Sequence, residues 1–82
     1  MDITVLTPEK EVFKGAITSV KVPGVAGQFE ILTRHAPVVS ALGEGAVRII
    51  KADGQNLNFT IEKGFIEVLN DNVSLLVQGL TE

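Results

Sequence analysis

The chain has 82 residues, of which 45% are hydrophobic, with a formal net charge of −3 and no cysteine. This length suits a single domain near the lower limit for folding without disulfides, a metal or a partner. The lack of cysteine excludes disulfides and thiolate metal sites. Singly scattered Lys and Arg residues, with no Trp or Tyr to stack on bases, argue against a nucleic-acid groove.

The beginning of the chain, MDITVLTPEK, carries an acidic residue where a signal peptide has basic ones. The longest uncharged stretches, such as residues 36–43, are too short and too closely bounded by glycine and proline to cross a bilayer as a helix. We therefore expect a soluble chain that is not exported, with one domain over residues 1–82.

Apolar and polar residues alternate along the chain, which predicts strands, and Val and Ile, which favour strands, number 18. In chain order, the residues expected to point inward are Ile3, Val5, Val20, Val22, Val47, Ile49, Leu57, Phe59, Ile61, Val73, Leu75 and Val77. Turn signals separate them at TPEK, PGVAG, GEG, ADGQN, KG and NDN, and ADGQ holds the Asp-Gly pair typical of a hairpin. The pattern predicts an all-β fold, a two-sheet β-sandwich or flattened barrel of mostly antiparallel strands.

Three places carry apolar bulk on the second side of a predicted strand: Ile50, the pair Phe65 and Leu69, and Leu76. A sandwich strand needs only one apolar face, so such residues must lie under a loop or against another protein. For the set together we favour a protein partner, because hydrophobic residues and the eight glycines exceed the roughly 45–50% usual for a similar set.

The sequence holds no strong catalytic or ligand-binding motif. Gly24-x-x-Gly27 lacks the Lys-Ser/Thr of a phosphate-binding loop and opens no helix, so we interpret it as a turn. His35 has no partner at a recognisable metal or triad spacing, and Arg34 and Arg48 are expected on solvated surfaces. We expect no catalytic residue, no metal and no cofactor.

Lys51 supports an alternative function from another class. A lysine at a hairpin tip is how lipoyl and biotinyl carrier domains present their acceptor, but they flank it with Asp-Lys-Ala or Met-Lys-Met. Here the flanking residues are Ile50 and Ala52, so only Ala52 matches. An unrelated β-sandwich interaction module would also account for the apolar surplus.

The stretch VKVPGVAGQFEILTRHAPVVSALGEGAVRI resembles the motif region of the epsilon subunit of F-type ATP synthases, whose pattern runs roughly G-x-x-G-x-L/F-G-I-L-P-G-H-A-P-L-L-T-x-L-x-x-G-x-V/I-R-I. The later stretch IEKGFIEVLNDNVSLLV resembles that family's segment around its Gly-Gly pair, and ITVLTPEKEVFKGAITSVKV matches its opening. The resemblance covers essentially the whole chain. It departs from the family at Glu30, Thr33, Arg34 and Lys63, where the family pattern has Gly, Pro, Gly and Gly.

The resemblance implies a non-catalytic subunit at the foot of the rotor, with the gamma subunit and the c-ring as partners and no small-molecule substrate. It places Gln28 and His35 in the c-ring-facing loop, and Val39 and Ser40 on the gamma-facing segment. It implies a peripheral protein on the cytoplasmic face of the bacterial inner membrane, coupling proton flow to ATP synthesis. Because the chain ends before the family's C-terminal helical hairpin, we expect coupling without the inhibition of hydrolysis, or the ATP binding, associated with that hairpin.

Overall fold

The computed structural model describes residues 1–82 and contains eight strands and no helix. Apolar and polar residues alternate along the strands, so each strand has one apolar side that can be buried. The burial of the residues follows this alternation in β6, β7 and β8. The strands are β1 (Asp2–Leu6), β2 (Glu11–Gly24), β3 (Gly27–Leu32), β4 (Val38–Leu42), β5 (Gly45–Lys51), β6 (Asn56–Ile61), β7 (Lys63–Leu69) and β8 (Asn72–Gln78). The absence of a helix also means that no helix could cross a membrane.

The strands form two layers that share β2. The first sheet has the order β1-β8-β7-β4, and the second has the order β3-β2-β5-β6. β2 is 14 residues long, so its first half pairs with β1 while its second half pairs with β3 and β5. Only β1 and β8 pair in parallel. The predicted all-β sandwich, or flattened barrel, of mostly antiparallel strands is confirmed.

The core lies between the two sheets and contains sixteen buried hydrophobic side chains. They are Ile3, Val5, Ile17, Val20, Val22, Ile31, Leu42, Val47, Ile49, Phe59, Ile61, Ile66, Val68, Val73, Leu75 and Val77. Every residue predicted to point inward is among them except Leu57, which is half-buried and packs against the core. Ser19 is the one polar residue that is buried.

Two tight turns set the register of neighbouring strands. In the β5–β6 hairpin Gly54 has φ 90°, and the Gln55 backbone N–H donates to the Asp53 carboxylate at 2.9 Å. In the β7–β8 hairpin both Asn70 and Asp71 have positive φ, at 51° and 62°. Positive φ at both central residues is the geometry of a type I′ turn, whose twist matches that of the strands it joins. The Asp-Gly hairpin predicted from the sequence is confirmed.

Candidate functional site

The outer side of the first sheet carries a row of apolar side chains that crosses all four strands. Phe65 on β7 lies opposite Ala41 on β4 and Leu76 on β8, and Leu76 lies opposite Leu6 on β1. Their neighbours along the strands, including Ile66, are buried in the core, so alternation directs the row outward. Phe65 and Leu76 are each about half exposed, at 49% and 50%.

Two further apolar side chains extend this surface toward the β7–β8 turn. Val39 and Leu69 are 62% and 52% exposed. We call the whole surface the apolar face, and its residues are Leu6, Val39, Ala41, Phe65, Leu69 and Leu76. Glu67 lies opposite Val39 and is exposed between Phe65 and Leu69 on β7, so these apolar side chains border one carboxylate. Because a cluster of exposed hydrophobic residues is less ordinary than scattered ones, the apolar face indicates a surface that another molecule covers.

The apolar face is not flat, because a groove lies at each of its two ends. One groove of about 510 Å³ lies between the end of β1 and the β7–β8 pair, and its lining residues include Leu6, Pro8, Lys63, Phe65 and Leu76. A smaller groove of about 220 Å³ lies beside Val39, Glu67 and Leu69 at the other end. Projecting apolar side chains of a partner would fit such depressions, as they do in the buried centre of protein interfaces.

The outer side of the second sheet has a different character. A polar row crosses it through Glu30, Lys21, Arg48 and Asn58, which oppose one another across β3, β2, β5 and β6. The Arg48 Nη2 atom lies 3.5 Å from the Glu30 Oε2 atom, and both side chains are about two-fifths exposed. An ion pair this exposed contributes little stability. The contrast between the sheets singles out the apolar face for docking.

Part of the apolar face was predicted from the sequence. Phe65, Leu69 and Leu76 were predicted to carry surplus apolar bulk, and all three are exposed. Ile50 is half-buried and lies on the second sheet instead. Val39 was expected to face a partner only from the resemblance, because two adjacent valines do not reveal which one points inward.

Gln28 and His35 do not share a loop. Gln28 pairs with Pro23 at the beginning of β3, whereas His35 follows the end of β3 and donates its backbone N–H to the Leu32 carbonyl at 3.1 Å. Both side chains are exposed. The two residues therefore lie on different segments, because Gln28 is part of β3 and His35 lies beyond the end of that strand at Leu32. What joins the two residues is the open edge of β3, which pairs only with β2.

Val39 and Ser40 point to opposite sides of β4. Val39 lies on the apolar face, while Ser40 lies opposite the buried Ile66 and is half-buried. The Ser40 hydroxyl donates to the Ala41 carbonyl at 3.2 Å. Adjacent residues of a strand alternate between faces, so these two side chains do not contribute to one surface.

The carrier alternative is not supported. Lys51 is the last residue of β5 rather than the tip of the hairpin, which Asp53 and Gly54 occupy. Its Nζ atom lies 5.0 Å from the centroid of the Phe13 ring, a distance at which the ring attracts the ammonium group. A swinging acceptor needs a free lysine, whereas this one is half-buried against an aromatic ring.

The other candidate residues have local structural roles. Gly24 and Gly27 face each other across the β2–β3 turn, as interpreted from the sequence. No group of three or more His, Cys, Asp or Glu side chains could hold a metal ion. Arg34 has a φ of 69°, which is unusual for a residue other than glycine.

Comparison with known families identifies this type of sandwich. The family described as ATP synthase, Delta/Epsilon chain, beta-sandwich domain matches residues 1–82. The chain belongs to this family. Membership accounts for the two-sheet architecture.

Among the curated relatives of this ATP synthase delta/epsilon domain, a protein named ATP synthase epsilon chain from Leptospira borgpetersenii is 46% identical over 77 residues, which are 93% of this chain and 59% of the relative. The epsilon chain of Protochlamydia amoebophila is 41% identical, with 95% of this chain and 53% of the relative covered. The chain thus spans little more than half the length of these relatives. In the epsilon chain of Chlorobium limicola, at 39% identity, the match covers 96% of this chain and 90% of the relative.

Two solved structures share the fold at low identity. A chain of the Euglena gracilis mitochondrial ATP synthase superposes with a TM-score of 0.89 at 16% identity, over 96% of this chain and 51% of that one. A chain of the Tetrahymena thermophila mitochondrial ATP synthase central stalk and c-ring gives a TM-score of 0.83 at 19% identity, over 100% and 66%. At these identities the likeness establishes the fold alone.

Proposed function

We propose that this delta/epsilon domain is a non-catalytic rotor part of a proton-translocating F-type ATP synthase, docked on the gamma subunit and resting on the c-ring. The observation that carries the proposal is the apolar face, a cluster of exposed apolar side chains on one sheet that no other part of the chain covers. The names of its relatives, each an ATP synthase epsilon chain, support the same complex. Through that complex the domain would be peripheral to the cytoplasmic side of a bacterial membrane.

A rotor coupling must transmit torque without slipping, and two properties of the domain suit it to that task. The core is continuous between two hydrogen-bonded sheets that share β2, so the domain resists deformation. The two outer sides differ in polarity, so docking through the first sheet buries more apolar surface against a partner than docking through the second. Neither property calls for a catalytic side chain.

Association with the cognate gamma subunit tests the proposal. Sedimentation velocity at micromolar concentration is expected to give a stable one-to-one complex. A folded monomer that fails to bind an intact gamma subunit, both alone and in the presence of the c-ring, would overturn the proposed function. If the chain binds gamma only in the presence of the c-ring, contacts with the ring would contribute part of the binding free energy.

For the c-ring we propose contact along the open edge of β3, with Gln28 at one end and His35 past the other. Both side chains are exposed, and neither belongs to the apolar face. The edge strand and its flanking segments therefore remain available when the apolar face is occupied. Gamma and the ring would then bind separate surfaces of one rigid body.

Replacing Gln28 with lysine is expected to weaken association with the c-ring at least fivefold, which corresponds to about 1 kcal/mol. The added charge would have to lose water at the contact, whereas the folded domain keeps the position exposed. Gln55→Lys is the matched control, because Gln55 is exposed in the β5–β6 turn away from β3. Equal weakening by both variants, or equal loss of thermal stability and ring binding in Gln28→Lys, would contradict the contact.

A further inference from the structure

We propose that Asp71 is a positioning residue that fixes the segment 33–37 and with it His35. The Arg34 backbone N–H donates to the Asp71 Oδ1 atom at 2.8 Å, across 37 positions of sequence. This contact joins the β7–β8 turn to the connection between β3 and β4. The assignment deepens the proposed function, on which it rests for the role of His35 toward the ring.

The segment needs such support because its turn contains a strained residue. The His35 N–H donates to the Leu32 carbonyl, closing a four-residue turn whose third residue, Arg34, has a φ of 69°. A turn with positive φ at its third residue normally takes glycine, because a Cβ atom makes the left-handed conformation costly. The hydrogen bond from the Arg34 N–H to a carboxylate offsets that cost, since bonds to charged groups are among the stronger ones.

Asp71 is itself held from two directions. The positive φ angles of Asn70 and Asp71 fix the tight β7–β8 turn. The Asp71 carbonyl accepts a hydrogen bond from the Asp2 N–H at 3.1 Å, and its Oδ2 atom lies 3.7 Å from the amino group of Met1. The carboxylate therefore has a defined direction, toward the Arg34 N–H. An exposed segment is tied in this way to the rigid end of the first sheet.

The position of this contact links the two proposed partner surfaces. Leu69 and Val39, at one end of the apolar face, lie beside the β7–β8 turn and the end of the 33–37 segment. A partner bound to the apolar face would hold this end of the first sheet in place. Through its hydrogen bond to the Arg34 N–H, Asp71 would then also restrict the movement of His35. Without Asp71, the apolar face would stay intact while His35 lost its fixed direction.

Asp71→Gly is the direct test, with Asp71→Asn as the matched control. Glycine removes the acceptor without adding strain, because Asn followed by glycine is the pair that this turn favours most. Asparagine keeps a side-chain oxygen that accepts from the Arg34 N–H. Hydrogen exchange of the Arg34 amide in Asp71→Gly is expected to rise about tenfold to a hundredfold, the range for losing a hydrogen bond to a charged group. Exchange of the core amides of Val20 and Val47 is expected to stay unchanged.

Binding measurements on the same variants separate positioning from general stability. Asp71→Gly is expected to bind gamma like the unmodified chain but to lose at least fivefold in association with the c-ring, and Asp71→Asn to recover most of that loss. Arg34→Gly, which removes the strain, is expected to make the Asp71→Gly effect on ring association smaller when the two are combined.

Unchanged Arg34 exchange in Asp71→Gly, or equal losses for gamma and ring, would overturn the role of Asp71. If the unmodified chain binds no gamma, the proposed function fails, while the exchange experiment still decides whether Asp71 fixes the segment. The two failures are therefore distinguishable.

Discussion

Replacing Phe65 with aspartate is expected to weaken binding to the gamma subunit about a hundredfold or more, measured by calorimetric titration. Phe65 lies in the middle of the apolar row, opposite Ala41 and Leu76. Burying its exposed half against a partner contributes on the order of 1–2 kcal/mol. A carboxylate there would in addition be desolvated without a partner, which adds to the loss as it does at the centres of other interfaces.

Leu32→Asp is the matched control for this substitution. Leu32 is an exposed apolar strand residue of similar accessibility, at 54%, but it lies on β3 and outside the apolar face. Both variants are expected to have a free energy of unfolding within about 0.5 kcal/mol of that of the unmodified chain, because neither side chain is part of the core. Similar losses of gamma binding in the two variants would show that binding does not depend on the apolar face.

Much of the fold could be predicted from the sequence because local patterns carry it. On β6, Phe59 and Ile61 are buried and Asn58 is exposed, as strict alternation requires. The Asp53-Gly54 pair marks the hairpin because its backbone geometry favours these residues at a tight turn. Where such patterns exist, side-chain chemistry and strand period agree, and the class of fold follows.

The parts that escaped prediction depend on contacts between distant residues. Nothing in the sequence of β2 reveals that its two halves join different sheets, because pairing partners are chosen by the whole fold. The bond from Arg34 to Asp71 spans 37 positions and leaves no periodic signal. The resemblance marks Arg34 as a departure from the family's glycine, but it does not indicate Asp71 as its partner.

The candidate site shows the same division. Phe65 and Leu76 were found because each adds bulk beside a clearly buried neighbour. Val39 and Ser40 could not be assigned to faces, since Val38, Val39 and Ser40 do not alternate clearly in polarity. Gln28 and His35 are close in sequence, yet β3 between them is extended, which places them at opposite ends of a strand.

Gly64→Ala is expected to lower stability by about 1–3 kcal/mol, the usual cost of overpacking a well-packed site. A Cβ atom at this position would lie 2.6 Å from the Leu76 carbonyl oxygen and 3.0 Å from the Val77 Cγ1 atom. Backbone on β8 would have to move, and with it the pairing that places Phe65 opposite Leu76 on the apolar face. Thermal unfolding should detect the change, because roughly 4–8 °C is lost for each kcal/mol in a domain of this size.

Gly43→Ala gives the comparison that isolates this crowding. A Cβ atom at Gly43 would meet nothing nearer than the Val25 Cγ1 atom at 4.0 Å, and Gly43 is not among the glycines with positive φ. The substitution is therefore expected to leave stability unchanged or raise it by about 0.4–1 kcal/mol, since alanine restricts the unfolded chain. A Gly64→Ala variant as stable as Gly43→Ala would mean that β7 and β8 can separate at low cost. The apolar face would then be too compliant for the torque transmission that we propose.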